Sequence, residues 1–281
     1  MGAGVQRDRL SRHFVARHQL RARPNGSRRF PAPQPALRRH RRMTNYRDDA
    51  VVLRTYRLGE SDRIVVLLTE SHGKVRAVAK GVRKTRSRLG SRLEPLSVVS
   101  VLLHKGRELD IVSQVEAIDT ASALRANLDK MTQGLAMLEA VDQMTIDREP
   151  VPHIHRMLVG ALGALSRDGS ALVVAAFYLK MLAAEGFAPE LMQCVSCGGD
   201  EELIAFDVVG GGMQCRTCRT GPTITPAAVS LMRRILGGEL NAALAEAESP
   251  ATHEVTHLAT AALERQCERR LKSVGMFERH D

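Results

Sequence analysis

Four of the five cysteines stand in two close pairs, and their spacing constrains the fold more than any other feature of the chain. The pairs, Cys194-Val-Ser-Cys197 and Cys215-Arg-Thr-Cys218, are separated by 17 residues. Each pair can form a turn that presents two thiolates to one ion, and two such turns complete a tetrahedron with metal–sulfur distances of about 2.3 Å. Residues 190–225 are therefore predicted to form a small ribbon-like module that binds Zn2+ through Cys194, Cys197, Cys215 and Cys218.

The predicted zinc site is structural. Four sulfur ligands leave no open coordination position for an activated water, whereas catalytic zinc usually keeps one. Two alternatives remain: a redox C-x-x-C, which needs a thioredoxin-like context that the pattern lacks, and iron held by four thiolates. We see no secretory signal, so a metal site in a reducing cytoplasm is favoured over a disulfide framework.

The remaining candidate ligands are interpreted as structural. Cys267 stands alone on a predicted helix, and we expect it to pack as a small apolar residue near a helix interface. His153 and His155 flank a predicted helix start and are expected at the surface.

Residues 49–118 carry five short runs rich in β-branched residues, separated by glycines that favour turns. The runs are 50–58, 63–70, 74–81, 96–104 and 109–118. No long helical pattern interrupts them, which favours a small closed barrel. We predict an OB-type barrel over residues 43–120, with an SH3-like barrel as the alternative.

Beyond Thr120 the apolar residues recur at every third or fourth position, as on the buried face of a helix. The pattern is clear from Leu124 to Val141 and returns in 154–165, 171–187, 226–236 and 252–272. Thr225 is expected to cap the helix that begins at Pro226. Residues 121–281 are predicted to form an α-helical domain into which the zinc module is inserted, and the whole chain an α+β multi-domain protein.

The positive charge of the chain is concentrated near its beginning. The net charge is +10, but residues 1–42 hold 12 arginines and a single acid, which give +11. The 41 basic residues less those 12 leave 29, against 30 acids in 43–281. Residues 1–42 lack an apolar period and are expected to be disordered. They are a basic nucleic-acid arm, an organelle transit peptide or, as we favour, an extension from a start assigned upstream of Met43.

The near-neutral remainder contains one basic strip, residues 74–92, with eight basic residues and no acid. Lys74, Arg76 and Lys80 share parity on a predicted strand and should project from one face, while the others fall in the following loop. Such a face and loop can follow a phosphate backbone; the alternative is a solvated charged loop without a partner. The predicted DNA-binding residues are Lys74, Arg76, Lys80, Arg83, Lys84, Arg86, Arg88 and Arg92.

The predicted barrel has few aromatic side chains. Residues 43–118 contain no Phe or Trp, and their only tyrosines are Tyr46 and Tyr56. Proteins that bind single strands without sequence preference usually stack bases on aromatic rings. We therefore expect binding that relies more on charge than on stacking, weakens steeply with salt, reads little sequence, and accepts single and double strands.

Residues 253–257 read His-Glu-Val-Thr-His and match the H-E-x-x-H pattern of zinc proteases. On a helical wheel the two histidines fall almost opposite the apolar stripe that includes Val255 and Leu258, so they should face solvent. Leu263 stands where the longer protease pattern has a third histidine, although two later glutamates offer another kind of ligand. We interpret the match as coincidental and expect no catalysis.

A resemblance to the RecO family of bacterial recombination mediators is carried by residues 46–95, which read YRDDAVVLRTYRLGESDRIVVLLTESHGKVRAVAKGVRKTRSRLGSRLEP. It continues through the helical region and the CVSCG and CRTC knuckles, from about residue 43 to the end, and leaves out residues 1–42. The resemblance implies an OB barrel, a helical domain and a zinc module, without enzymatic activity. Some family members lack the four cysteines, so zinc is expected to serve stability.

The resemblance also implies partners and a mechanism. The partners are single- and double-stranded DNA, RecR, and the acidic tail of the single-stranded DNA-binding protein, which family members bind on the helical domain. Such a protein anneals complementary strands and helps load a recombinase. The longest apolar run, 171–179, is about half the length of a membrane span, so we expect no membrane-spanning segment. With the resemblance, this makes a cytoplasmic, nucleoid-associated protein the expectation. The alternative is a zinc-ribbon adaptor or transcription-associated protein acting through protein contacts.

Overall fold

Five strands form a closed barrel in the computed structural model, which describes residues 44–83, 90–167, 170–267 and 271. The strands are β1 (Asn45–Leu58), β2 (Asp62–Thr69), β3 (Gly73–Ala79), β4 (Val98–His104) and β5 (Asp110–Asp119). Their order around the barrel is β1-β2-β3-β5-β4, and β3 and β5 form its parallel pair. The predicted OB-type barrel is confirmed, and each predicted strand is present.

Alternation along the strands divides the barrel into an inner and an outer face. The inner face is filled by Val, Leu and Ala side chains, among them Val65, Leu67 and Val75. A register shift between Val52 and Arg54 in β1 inserts one extra residue there. As a result, Arg54 lies opposite Val66 of the outer face.

Seven helices follow the barrel within the described residues: α1 (Ser122–Arg125), α2 (Leu128–Met144), α3 (Pro152–Arg167), α4 (Val173–Ala184), α5 (Pro226–Leu236), α6 (Leu240–Leu244) and α7 (Pro250–Cys267). The sequence pattern predicted the long helices but not the short α6. Thr225 caps α5 as expected, because its side chain accepts a hydrogen bond from the amide of Ala228. No described helix is long and apolar enough to cross a membrane.

The helices and the outer face of the barrel share one apolar core. Val51, Leu53, Val66 and Leu68 of β1 and β2 pack into the same cluster as the buried faces of α2, α3, α4, α5 and α7. Gly134 lets α2 approach closely, since a Cβ there would lie 2.7 Å from a methyl carbon of Leu96. All described residues fall within one compact unit, Arg42–Asp281. We retain 43–120 and 121–281 as a proposed division; residues 1–42 lie outside the described ranges.

Candidate metal centre and nucleic-acid interface

The four paired cysteines meet at one end of a short hairpin. Its strands are β6 (Leu203–Asp207) and β7 (Gly212–Cys215), which are antiparallel. The four Sγ atoms lie within 4.8 Å of one another, and those of Cys197 and Cys215 are 3.9 Å apart. Bonds of about 2.3 Å in a tetrahedron would separate the sulfurs by about 3.8 Å. The donor set and its spacing therefore fit a single tetrahedral ion.

The first cysteine pair is shaped by a tight backbone turn. The amide of Gly198 donates to the carbonyl of Cys194 at 2.8 Å, and the amide of Cys194 donates to the carbonyl of Gly199 at 2.7 Å. Gly198 has a φ of +76°, in the left-handed region that favours glycine. The sequence Cys-Gly-Gly after Ser196 therefore provides the conformation that the turn requires.

The electrostatics of the cluster favour a bound cation. Backbone amides, that of Cys215 first, lower the pKa of Cys194 to about 6. Hydrogen bonds with the thiols of Cys215 and Cys197 raise the pKa of Cys218 to about 12. A divalent ion stabilises all four thiolates together, which the backbone amides alone do not. Among the described residues, this is the only group of three or more potential ligands close enough to hold a metal.

Gln214 supports the module, and the sequence analysis did not identify it. It is 2% exposed. Its Oε1 accepts from the amides of Thr220 at 2.9 Å and Gly221 at 3.2 Å, and its Nε2 donates to Asp207 Oδ2 at 3.2 Å. The residue thus joins the hairpin to the segment that follows Cys218. A polar residue beside a predicted ligand is a weak signal, and only its burial shows its role.

The H-E-x-x-H motif has a structural role on α7. His253 and His257 are exposed, as predicted, and His253 Nε2 lies 2.9 Å from Glu248 Oε1. The carboxylate of Glu254 accepts from the amide of Thr225 at 3.1 Å and from its hydroxyl at 2.5 Å. Glu254 therefore places negative charge at the start of α5, where the helix dipole favours it.

The expectation that His155 lies at the surface is wrong. His155 is 5% exposed on α3, which packs against β1 and β2, and neither ring nitrogen has a hydrogen-bond partner among the described residues. Burial lowers the pKa of His155, although the carboxylates of Glu70, Asp48 and Asp49 oppose that shift. Ile154 and Leu158 are also buried on α3, so the buried face of this helix includes His155, which we had expected on the exposed face.

The basic strip is divided by the fold. Arg76, Lys80 and Arg83 are exposed, and Arg83 Nη1 donates to the carbonyl of Glu60 at 2.9 Å. Arg92 is half-buried, and its Nη1 donates to the carbonyl of Val115 at 2.8 Å. Lys84, Arg86 and Arg88 lie outside the described residues. The structure thus places three of the predicted cations at the surface along β3 and the turn after it.

Lys74 has the predicted parity but is covered by the helical region. It is 8% exposed, and its Nζ donates to the carbonyls of Asp142 at 2.6 Å and Thr145 at 2.7 Å. The carboxylates of Asp142 and Asp147 each lie 3.5 Å from the same nitrogen. Its charge is compensated at the end of α2, so we correct the candidate surface by removing Lys74.

A second ion pair joins the barrel to the segment after α2. Asp110 is fully buried and accepts from Arg148 Nη2 at 2.8 Å, from the amide of Gly106 and from the hydroxyl of Tyr46. Burial raises the pKa of Asp110, but the hydrogen bonds from Arg148, Tyr46 and Gly106 outweigh it, and the net pKa is lowered. Burial and the hydrogen bond to the Asp110 carboxylate raise the pKa of Tyr46, while the charge of Arg148 opposes that shift. Charged contacts at Lys74 and at Asp110 therefore join the barrel to the helices and to the segment after α2.

Comparison with known families agrees with this architecture. Residues 43–121 match the family described as Recombination protein O N terminal, and residues 125–274 match Recombination protein O C terminal. The first match corresponds to the barrel and the second to the helices and the cysteine module. Together they span well over half of the chain. The chain therefore belongs to the RecO family of DNA recombination and repair mediators.

Proposed function

We propose that this protein is a non-catalytic mediator that holds DNA by its phosphates on the outer face of the barrel. The observation that carries the proposal is the exposure of Arg76, Lys80 and Arg83 in a stretch, residues 74–92, that contains no acid. Phosphate contacts made by such side chains are independent of sequence. The protein would therefore anneal complementary strands and help load a recombinase on DNA coated by single-stranded DNA-binding protein.

Charge neutralisation is the physical basis of annealing in this proposal. Two DNA strands repel each other through their phosphates, and cations on a protein surface reduce that repulsion and release counterions. The proposed surface needs no catalytic group. Glu254, the glutamate that would act as the base in a protease with this motif, is hydrogen-bonded to Thr225. The proposed activity is thus binding and strand pairing in the cytoplasm, in association with the nucleoid.

The test is single-strand binding and annealing measured across a salt titration. The variant Arg76→Gln/Lys80→Gln/Arg83→Gln should lose affinity for all sequences, because it loses phosphate contacts. For single strands, each contact contributes about 0.7 to the slope of log affinity against log salt, so the slope should flatten by up to about 2. Annealing is followed by energy transfer between labelled complementary strands.

The matched control removes three exposed cations elsewhere. Arg47, Arg156 and Arg216 have side chains 50%, 68% and 68% exposed, and their triple Gln variant has the same net charge as the test variant. An equal slope in wild type and test variant would contradict the proposal, as would an equal loss in the control. Absence of annealing would instead support an adaptor that works through protein contacts.

A groove beside the zinc module is the proposed site for the acidic tail of the single-stranded DNA-binding protein. Its volume is about 440 Å³, and it lies between the end of α4, the β6–β7 turn and the end of α7. Phe187 is 48% and Val209 73% exposed, and Arg265, which is also exposed, is among the lining residues. Exposed apolar side chains beside a cation fit a peptide that carries both acidic and apolar residues.

Peptide binding tests this assignment. Arg265→Glu should weaken binding of a synthetic acidic-tail peptide at least about tenfold, because an attractive charge becomes a repulsive one. Arg216→Glu, at the exposed edge of the module, is the control and should bind the peptide normally. Equal affinity of the two variants for the peptide would contradict the assignment of the groove.

RecR is the second proposed partner, on the basis of the family. Its association with this protein is measured by analytical ultracentrifugation of the mixture.

A further inference from the structure

Tyr56 lies on the outer face of the barrel and is 41% exposed. Strand pairing places it directly opposite Ile64 on β2, and Ile64 lies opposite Val78 on β3. Directly opposite residues of antiparallel strands point to the same side of the sheet. Tyr56, Ile64 and Val78 therefore form an apolar row across three strands, called the Tyr56 row below, in which Ile64 and Val78 are half-buried.

Cations lie on both sides of the Tyr56 row. In the neighbouring row, Arg54 and Arg76 are exposed and flank the buried Val66. On the other side of the Tyr56 row, Lys80 is exposed; it lies two residues after Val78, just past the end of β3. The nearest acid of that side, Asp62, already accepts a hydrogen bond from the amide of Gly81 at 2.7 Å. Arg54 and Arg76 lie on one side of this apolar row and Lys80 on the other, an arrangement that fits a strand whose bases lie between its phosphate contacts.

The ring of Tyr56 is held in place from the helical region. The guanidinium carbon of Arg54 lies 5.0 Å from the centroid of the ring. Arg54 Nη1 is itself 2.9 Å from Asp142 Oδ2, and the Asp142 side chain on α2 is only 9% exposed. A cation on one side of the ring fixes its orientation and leaves the other side to stack with a ligand.

We infer that Tyr56 is a base-stacking residue of the DNA surface, and that the Tyr56 row receives bases of a single strand whose phosphates bind Arg76 and Lys80. This inference rests on the proposed function. Stacking on an aromatic ring requires an unstacked base, which a single strand offers and a duplex does not. Tyr56 therefore favours single over double strands, in addition to the sequence-independent attraction of the cations.

The test compares three DNA probes on the full chain: a thymidine strand, a strand of the same length made only of abasic residues, and a duplex. Tyr56→Ala should weaken binding of the thymidine strand about 5- to 100-fold, the range expected for loss of one stacked base. Binding of the abasic strand and the duplex should be unchanged. Tyr56→Phe keeps the ring and should bind all three probes as wild type does.

The control variant Ile118→Ala lacks another apolar side chain of the barrel, which is 57% exposed at the far end of β5, and it should bind all probes normally.

A second experiment uses the wild-type protein and a strand containing 5-iododeoxyuridine, which should crosslink to Tyr56 on irradiation. An equal loss of abasic and thymidine binding in Tyr56→Ala, or a crosslink at another site, overturns the inference. If the wild type binds abasic and thymidine strands equally through Arg76 and Lys80, the proposed function stands and this inference fails. If it binds no probe in a salt-sensitive way, both fail.

Discussion

The barrel and the cysteine module are both small β structures, but different interactions stabilise them. The barrel encloses a cluster of buried Val, Leu and Ala side chains, and it packs a second set against the helices. The module has two strands of five and four residues, and it contributes only a few buried apolar side chains, Leu191, Phe206, Met213 and Ile224, to the shared core. An isolated two-stranded hairpin is marginally stable at best. We therefore expect the module to depend on a metal bound by its four thiols and the barrel to be stable without one.

The groups proposed to stabilise the module and those proposed to bind DNA lie in different regions of the molecule. The exposed cations along β3 lie on the barrel, and the four thiols lie in the module. If the metal stabilises only the module, its loss should leave the exposed cations along β3 in place.

Loss of the metal should unfold the module without removing the DNA surface. In Cys215→Ser, we expect the bound zinc to be lost and stability to fall by about 5 kcal/mol or more, since structural zinc in small modules binds with about 10–16 kcal/mol. Hydrogen exchange should show loss of protection in 203–215, while single-strand affinity is retained. Cys267→Ser is the matched control and should keep one zinc per chain. Loss of DNA binding together with the zinc would break the comparison.

Removing Asp110 should destabilise the barrel while leaving the module loaded. Asp110→Ala leaves Arg148 unpaired at the junction with the helices; because Arg148 is 38% exposed, solvent should limit the cost to about 2–4 kcal/mol. Urea denaturation measures the loss of stability, and the zinc content shows whether the module is intact.

The pKa of Asp110 is lowered in the folded protein, so the stability that its contacts contribute depends on pH. That contribution is present above the unfolded pKa of about 3.9 and is lost as pH falls through the folded pKa. An unchanged denaturation midpoint at neutral pH would show that the contact contributes nothing.

Gln214→Ala should weaken the module by a route independent of the thiols. It leaves the amides of Thr220 and Gly221 without their partner, at a cost of about 1–3 kcal/mol. One zinc per chain should remain, and the melting temperature should fall. The control is Gln114→Ala, because Gln114 is an exposed glutamine on the barrel strand β5. Equal melting temperatures for the two variants would argue against the Gln214 network.

The smallest effect is expected at the contact of α3 with the barrel. Burial lowers the folded pKa of His155, so the unfolded chain binds the proton more readily. Stability should therefore be full above the unfolded pKa of about 6.5 and should fall as the pH drops from there towards the folded pKa. His155→Leu should remove this dependence and add about 1 kcal/mol near neutral pH, because an unpaired buried polar group is replaced by an apolar one. His153→Leu, at an exposed position, is the control. If the stability of His155→Leu depended on pH as that of the wild type does, His155 would not be the source of the dependence.

Much of the fold followed from local patterns. Short β-branched runs separated by glycines predicted the five strands, and apolar spacing of three or four predicted the long helices, because each pattern is set by the geometry of its own element. The thiol cluster was equally predictable, since two C-x2-C turns can gather four sulfurs whatever surrounds them. The short α6 was missed because five residues carry too little periodicity to stand out.

Contacts between distant segments were not accessible to that reasoning. Parity placed Lys74 and Arg76 on one face, but it did not show that the end of α2 covers Lys74 and leaves Arg76 exposed. The scarcity of aromatic residues in the barrel suggested little stacking, whereas the register of β1 and β2 brings Tyr56 beside Ile64 and between cations.

The sequence by itself determined the strands and long helices, the family resemblance and the cysteine cluster, because these depend on residues close together in the chain or on its overall pattern. The tertiary structure decided which cations face solvent, that His155 is buried, and that Gln214 joins the module together. The physical reason is that burial and charge compensation depend on which surfaces meet. Asp142 and Lys74 are far apart in the chain and adjacent only after the helices pack on the barrel.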